Sequence, residues 1–174
     1  MKTLILGGAR SGKSRYAEQL ASASDCAVTY VATAEAGDTE MAARITHHQQ
    51  QRPSHWVTRE VPLDLAGVIA SSHGPGQLIL VDCLTLWLSN CLAEGTVEPR
   101  QQQLLAALSE TRARVILVSN EVGSGVVPLG QLSREFVDCS GRLHQQLAAL
   151  CDTVTLIVAG LPLPLKTTES DNSP

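Results

Sequence analysis

Unbroken apolar runs and helix-spaced apolar positions alternate along this chain from its first residues. The apolar runs predict strands over Lys2–Leu6, Ala27–Ala32, Trp56–Glu60, Leu78–Val81, Val115–Ser119 and Thr153–Val158. Most are continuous rather than alternating, the pattern of strands covered on both faces of a parallel sheet. The intervening stretches predict helices over Ser14–Ala23, Thr39–Gln51, Leu63–Ser71, Leu84–Leu92, Glu98–Arg112 and Gln131–Leu150. This alternation predicts an α/β fold: a doubly wound, mostly parallel sheet with helices on both faces. No internal repeat or long linker divides the chain. Residues 1–166 therefore read as one domain, and the polar segment Thr167–Pro174 reads as a disordered tail.

Composition narrows the picture. A length of 174 residues suits one domain with a sizeable core, and with aromatics at 3% that core must be aliphatic. The net charge of −4 and the lack of a Lys/Arg-rich segment argue against nucleic acid as a main partner. Cys26, Cys83, Cys91, Cys139 and Cys151 are scattered, odd in number and form no C-x-x-C. They read as reduced thiols packed as small hydrophobes, which favours the cytoplasm over a zinc site or a disulfide framework. The apolar run before Gly7 is too short for a signal peptide. Leu78–Leu88 and Val154–Leu165 are broken by Asp82 or by prolines and are too short to span a bilayer. A soluble, cytoplasmic protein without a transmembrane segment is expected.

The chemistry is concentrated in Gly7-Gly8-Ala9-Arg10-Ser11-Gly12-Lys13-Ser14, which fits G-x-x-x-x-G-K-[ST]. The preceding Thr3–Leu6 reads as a buried strand and the following Arg15–Ala23 as a helix. Strand, glycine loop and helix is what phosphate binding needs. The glycines let backbone N–H groups turn inward, and the helix N-terminus adds its own N–H groups and dipole. Lys13 reaches the β and γ phosphates, and the Ser14 hydroxyl can hold Mg²⁺. The motif predicts a P-loop nucleotide enzyme. Ligands of such sheets sit at the carboxyl ends of the strands. Asp82 ends an apolar strand there, as a second Mg²⁺ partner or as a cap for the helix from Leu84. Asn120-Glu121-Val122-Gly123-Ser124-Gly125 follows another strand. It stands where a guanine-specific GTPase would carry N-K-x-D, and it reads either as a mobile loop at the active edge or as a plain surface loop.

The predicted helix over Thr39–Gln51 holds adjacent histidines. Met41, Ile45 and His48 share one face, and Arg44 and Arg52 lie four residues to either side of His48. Two guanidinium groups disfavour the imidazolium, so His48 would stay neutral and nucleophilic, and the arginines could hold a phosphate. Spacing alone is equally met by a solvated helix face, and no carboxylate or cysteine completes a metal site there.

A family resemblance bears on that choice. The loop Gly7–Ser14, Tyr30-Val31-Ala32-Thr33 and the pattern Arg44-Ile45-x-x-His48-x-x-x-Arg52-Pro53-x-x-Trp56-x-Thr58-x-Glu60 carry it. It continues through Asp82-Cys83-Leu84-Thr85, Ser119–Gly123 and Phe136-x-Asp138-x-x-Gly141-Arg142. The chain resembles the bifunctional adenosylcobinamide kinases/adenosylcobinamide-phosphate guanylyltransferases of cobalamin biosynthesis. The resemblance implies two reactions. A nucleoside triphosphate, ATP or GTP, phosphorylates the aminopropanol hydroxyl of adenosylcobinamide. GTP then donates GMP to that phosphate through a covalent histidine, giving adenosylcobinamide-GDP and pyrophosphate. The family's histidine falls on His48. Its nucleotide contacts fall on Gly7–Ser14, on Ala32, Thr33 and Ala34, on Gln49, Gln50, Gln51 and Arg52, on Glu60 and on Asp82. The resemblance also implies a homo-oligomer, a trimer. Asp82 and Glu60 are the candidates for a base toward the hydroxyl. His144 stands where relatives often have Asn, and with Cys139 it reads as packing or subunit contact. Two other readings remain: a P-loop small-molecule kinase without nucleotidyl transfer, and a non-enzymatic nucleotide switch. The intact His48, Arg44 and Arg52 argue against the first. The missing N-K-x-D and effector domain argue against the second.

Overall fold

The computed structural model describes residues 1–34, 53–72 and 74–168. Its elements are β1 (Lys2–Gly7), α1 (Lys13–Ser22), β2 (Ala27–Ala32), β3 (Val57–Glu60), α2 (Leu65–Ser71), β4 (Gln77–Asp82), α3 (Leu84–Ala93), α4 (Val97–Glu110), β5 (Arg114–Asn120), α5 (Gln131–Leu150), β6 (Thr153–Val158) and β7 (Leu161–Lys166). The strands form one sheet in the order β3-β2-β4-β5-β1-β6-β7. Every pair is parallel except the antiparallel β6–β7 hairpin. The expected doubly wound α/β architecture is therefore present. The helix predicted over Thr39–Gln51 and nearly all of the predicted tail lie outside the described residues.

Strand parity sorts the core into two halves, because successive side chains leave a strand on opposite faces. Leu4, Leu6, Ile79, Val81, Val115 and Leu117 pack with Leu65 of α2, Trp87 of α3, Leu108 of α4 and Leu143 of α5. Their neighbours Ile5, Leu78, Leu80, Ile116 and Val118 pack with Ala17 and Ala21 of α1. Those two alanines, one turn apart and fully buried, let α1 lie close across β1, β5 and β4. Aliphatic strands buried on both sides explain why the sequence shows runs rather than alternation.

The structure adds β7, which the sequence reading did not assign. Pro162 and Pro164 cannot donate to a ladder, which argues against a central strand but not an edge one. β7 is an edge strand and, among the described residues, pairs only with β6. Ala159 and Gly160, both at positive φ, make the two-residue hairpin turn. Lys166 closes it by donating to the carbonyls of Ala148, Ala149 and Cys151 at the end of α5. A cation on these otherwise unpaired helix carbonyls is favourable. The buried thiols of Cys91 and Cys151 are pushed up to about 11, chiefly by burial, and are inert at neutral pH.

Candidate active site

The loop between β1 and α1 is shaped by backbone constraints that only certain residues meet. A side chain at Gly7 would place a Cβ 2.4 Å from Ser11 Oγ and 2.8 Å from the Ile157 carbonyl oxygen. Gly12 has φ of 94°, the left-handed region that favours glycine, and among the described residues no side chain caps the helix it starts. The first turn of α1 also contains no acidic residue. Its N–H groups and dipole are thus free for an anion. Ser11 N–H donates to the Gly8 carbonyl at 3.2 Å, and Lys13 Nζ donates to the same oxygen at 3.2 Å. From behind, Gly160 N–H of the β6–β7 turn donates to the Ser11 carbonyl at 2.9 Å. The hairpin that the sequence hid therefore braces the loop. Ser11 Oγ is buried with no partner among the described residues, a polar atom that fits a phosphate ligand.

The face occupied by α1 gathers most of the predicted site. Asp82 shares parity with Leu78 and Leu80, so it leaves β4 on that face. Tyr30 Oη donates to Asp82 Oδ2 at 3.1 Å. Glu60 pairs in register with Ala32, whose side chain packs on the same side. Ser14 lies in the first turn of α1, the helix that covers this face. Asp82 is not the side-chain cap of α3: the N-cap of that helix is Cys83, with no side-chain cap bond. Burial first, and the Asp82 charge second, push the Cys83 thiol upward, so it stays a protonated thiol beside the site. A hydroxyl and a carboxylate are the hard oxygen donors that Mg²⁺ takes together with phosphate oxygens and water, so Ser14 and Asp82 fit that ion. Among the described residues no three His, Cys, Asp or Glu gather into a protein-only metal cage.

The loop after β2 divides differently. Thr33 is fully buried on the opposite face; its hydroxyl donates to the Cys83 carbonyl at 2.6 Å and accepts from Cys83 N–H at 3.0 Å. Asn90 Nδ2 donates to the Thr33 and Pro62 carbonyls. The Thr33 side chain thus fastens β2 to β4, and its neighbours Ala32 and Ala34 carry no polar side-chain atoms. Arg44, His47, His48, Gln49, Gln50, Gln51 and Arg52 lie outside the described residues.

One buried cluster joins residues whose pairing has no signal in the sequence. His144 Nε2 lies 2.8 Å from Ser119 Oγ, and its Nδ1 lies 3.9 Å from Glu121 Oε2. Burial holds the imidazole below its ordinary value of 6.5, with the Glu121 carboxylate pulling the other way. Glu121 Oε1 accepts from Gly123 N–H at 2.6 Å, which folds the following loop. Its own N–H donates to the Gly7 carbonyl. The partners are 25 residues apart in sequence, so spacing could not have paired them.

A parallel sheet with this glycine loop, a lysine at its end and an acid on a nearby strand end defines a P-loop nucleotide-binding protein. The fold is shared, at a TM-score of 0.56 and 10% identity, with the assembled ATPase EscN from the type III secretion system of enteropathogenic E. coli, covering 91% of this chain and 43% of that one. Residues 3–165 match the family model described as cobinamide kinase / cobinamide phosphate guanyltransferase, and the chain belongs to that family. It is 56% identical over 169 residues to the bifunctional adenosylcobalamin biosynthesis protein CobP of Pseudomonas aeruginosa, covering 95% of this chain and 98% of that protein. It is 42% identical over 182 residues to the CobU protein of the same description from Escherichia coli, covering 95% and 100%.

Proposed function

We propose that the chain phosphorylates adenosylcobinamide with ATP or GTP and then transfers GMP from GTP to the product, through a covalent GMP on His48. The observation that carries this reading is the phosphate loop joined to Asp82 on the α1 face, in a chain whose family match spans residues 3–165. In the first reaction the acceptor hydroxyl attacks the γ phosphorus and the nucleoside diphosphate leaves. Lys13 and the N–H groups of the loop and α1 stabilise the charge on the phosphates. Ser14 and Asp82 would hold Mg²⁺, which supplies charge neutralisation between the phosphates. Asp82 and Glu60 are the carboxylates available to the acceptor side.

In the second reaction a His48 ring nitrogen bonds the α phosphorus of GTP and pyrophosphate departs. A phosphate oxygen of adenosylcobinamide phosphate then attacks the same phosphorus, breaking the P–N bond and releasing His48. Arg44 and Arg52 balance charge on the transferred group in both steps. Nucleotide contacts from Gly7–Ser14, Ala32–Ala34, Gln49–Arg52 and Glu60 belong to this reading. So do a single catalytic domain over 1–166, a homotrimer and a cytoplasmic setting for the free thiols. No described helix is long and apolar enough to cross a membrane.

The test is incubation with α-labelled GTP followed by alkaline denaturation, which P–N bonds survive. Wild type and His47→Ala should retain label on the protein, and His48→Ala none, while His48→Ala still phosphorylates cobinamide. Label on His48→Ala at the wild-type level removes His48 as the nucleophile. Cobinamide phosphorylation by an unlabelled wild type reduces the protein to a kinase.

A further inference from the structure

We propose that Asn120 is a catalytic residue of the kinase reaction, its side-chain amide aligning the acceptor hydroxyl with the γ-phosphoryl group. The proposal rests on the functional reading above. β5 lies between β1, which feeds the phosphate loop, and β4, which ends in Asp82. Asn120 is the last residue of β5 and stands in register with Gly7. Its backbone is fixed there: its N–H donates to Thr85 Oγ1 at 2.8 Å. Parity with Ile116 and Val118 sends its side chain to the α1 face, where Asp82 also points.

The two flanking polar residues serve the other face. Ser119 and Glu121 are engaged with His144, and Glu121 also holds Gly123. The acid of this run therefore points away from the phosphates and the amide points toward them. Asn120 Oδ1 is buried and has no hydrogen-bond partner among the described residues. An apolar side chain would meet the packing needs of this face, as Ile116 and Val118 do, whereas an unpaired buried carbonyl costs desolvation free energy.

The polarity of the orphan atom restricts what it faces. A carbonyl oxygen accepts only, and so do the ionised phosphate oxygens of a nucleotide. The missing partner must therefore carry a hydrogen, as the alcohol of a phosphoryl acceptor does. The same amide has N–H donors for a γ-phosphoryl oxygen. An amide that accepts from the nucleophile and donates to the electrophile fixes the two in line without acting as a base. As the new O–P bond forms and the bridging bond from the γ phosphorus to the nucleoside diphosphate breaks, the hydroxyl proton passes to a phosphoryl oxygen and then to solvent. A loose transition state of this kind depends mainly on positioning.

The test uses the full chain with Asn120→Leu, which keeps the volume, and Asn120→Ala. Cobinamide phosphorylation, KM for the triphosphate, α-labelled GTP loading of the protein and thermal melting are measured beside wild type. The expected result is a fall of about 100-fold in kcat for phosphorylation, the scale of lost alignment. GMP loading at saturating GTP, which involves no acceptor hydroxyl, should stay within about threefold. Asn120→Leu should melt no lower than wild type, because it removes an unpaired buried polar atom. Phosphorylation within threefold of wild type in both variants overturns the assignment. An equal loss in both reactions overturns it in favour of general nucleotide placement, with Oδ1 facing the Lys13 ammonium or a metal-bound water. A large drop in melting temperature in both variants makes Asn120 a structural strand end. Absence of phosphorylation by the wild type would instead sink the functional reading on which the proposal rests.

Discussion

The two faces of the sheet at its carboxyl edge treat their polar residues in opposite ways. On the face packed by α2–α5, Thr33 is bonded twice to Cys83, Asn90 holds two carbonyls, and Ser119 is paired with His144. On the α1 face, Ser11 Oγ and Asn120 Oδ1 are buried without partners among the described residues, and the N-cap Gly12 has no side chain to cap its helix. One strand supplies a member of each set from adjacent residues, Ser119 and Asn120 of β5. Buried polar groups are normally satisfied, so a local concentration of unsatisfied ones marks where a ligand completes the structure. Substitutions should accordingly affect activity on one face and stability on the other.

The largest effect should come from Lys13→Ala on the α1 face. Removing this cation should lower both phosphorylation and GMP loading by roughly a hundredfold or more, with melting nearly unchanged, because among the described residues Lys13 bonds only the Gly8 carbonyl. Steady-state rates with ATP and GTP measure this, and near-wild-type rates in both would mean that the loop is not the shared phosphate site.

Asp82→Asn should have a smaller effect, about tenfold at limiting Mg²⁺, consistent with loss of one charged oxygen ligand. An amide oxygen can still accept from Tyr30, so the melt should move little. A Mg²⁺ titration of activity run beside thermal melts separates the possibilities. An unchanged titration with a sharply lowered melt would move Asp82 to the structural side of the comparison.

The opposite pattern is expected at His144. His144→Leu leaves the Ser119 hydroxyl buried and unpaired, at a cost of about 1–3 kcal/mol, while GMP loading at saturating GTP stays within about threefold. The variant should also alter pH dependence. The native imidazole titrates below 6.5 and the unfolded one near 6.5, so the unfolded chain binds the extra proton. Wild-type stability from this group is therefore complete above 6.5 and falls as pH drops from 6.5 through the native value. Denaturant titrations across that window should show the slope in wild type and a shallower one in His144→Leu. An identical slope would place the titrating group elsewhere.

Much of this frame was legible in the residues. The unbroken apolar runs located β1, β2, β4, β5 and β6 to within a residue or so, and the glycine loop fell between its strand and helix as expected. Three predicted strands stop one residue short of their carboxyl ends, at Leu6, Val81 and Ser119, because the next residue is a glycine or polar. Ladder hydrogen bonding is indifferent to side-chain polarity, so Asp82 and Asn120 stay paired with Val118 and Gly7. β7 escaped notice because prolines argue against a strand unless its position at the edge is known.

The sequence by itself determined the phosphate loop, since its glycines and its strand and helix flanks are contiguous and their backbone conformations are local. It also determined the fold class, because periodicity reports how many faces of an element are buried. Only the tertiary structure decided which polar residues share a face. That depends on strand order and register, which bring Tyr30 to Asp82, Ser119 to His144 and Gly160 to Ser11. Side chains alternate along a strand with a period of two, so neighbours such as Ser119 and Asn120 have opposite surroundings. Their separate roles follow only once the helices on each face are in place.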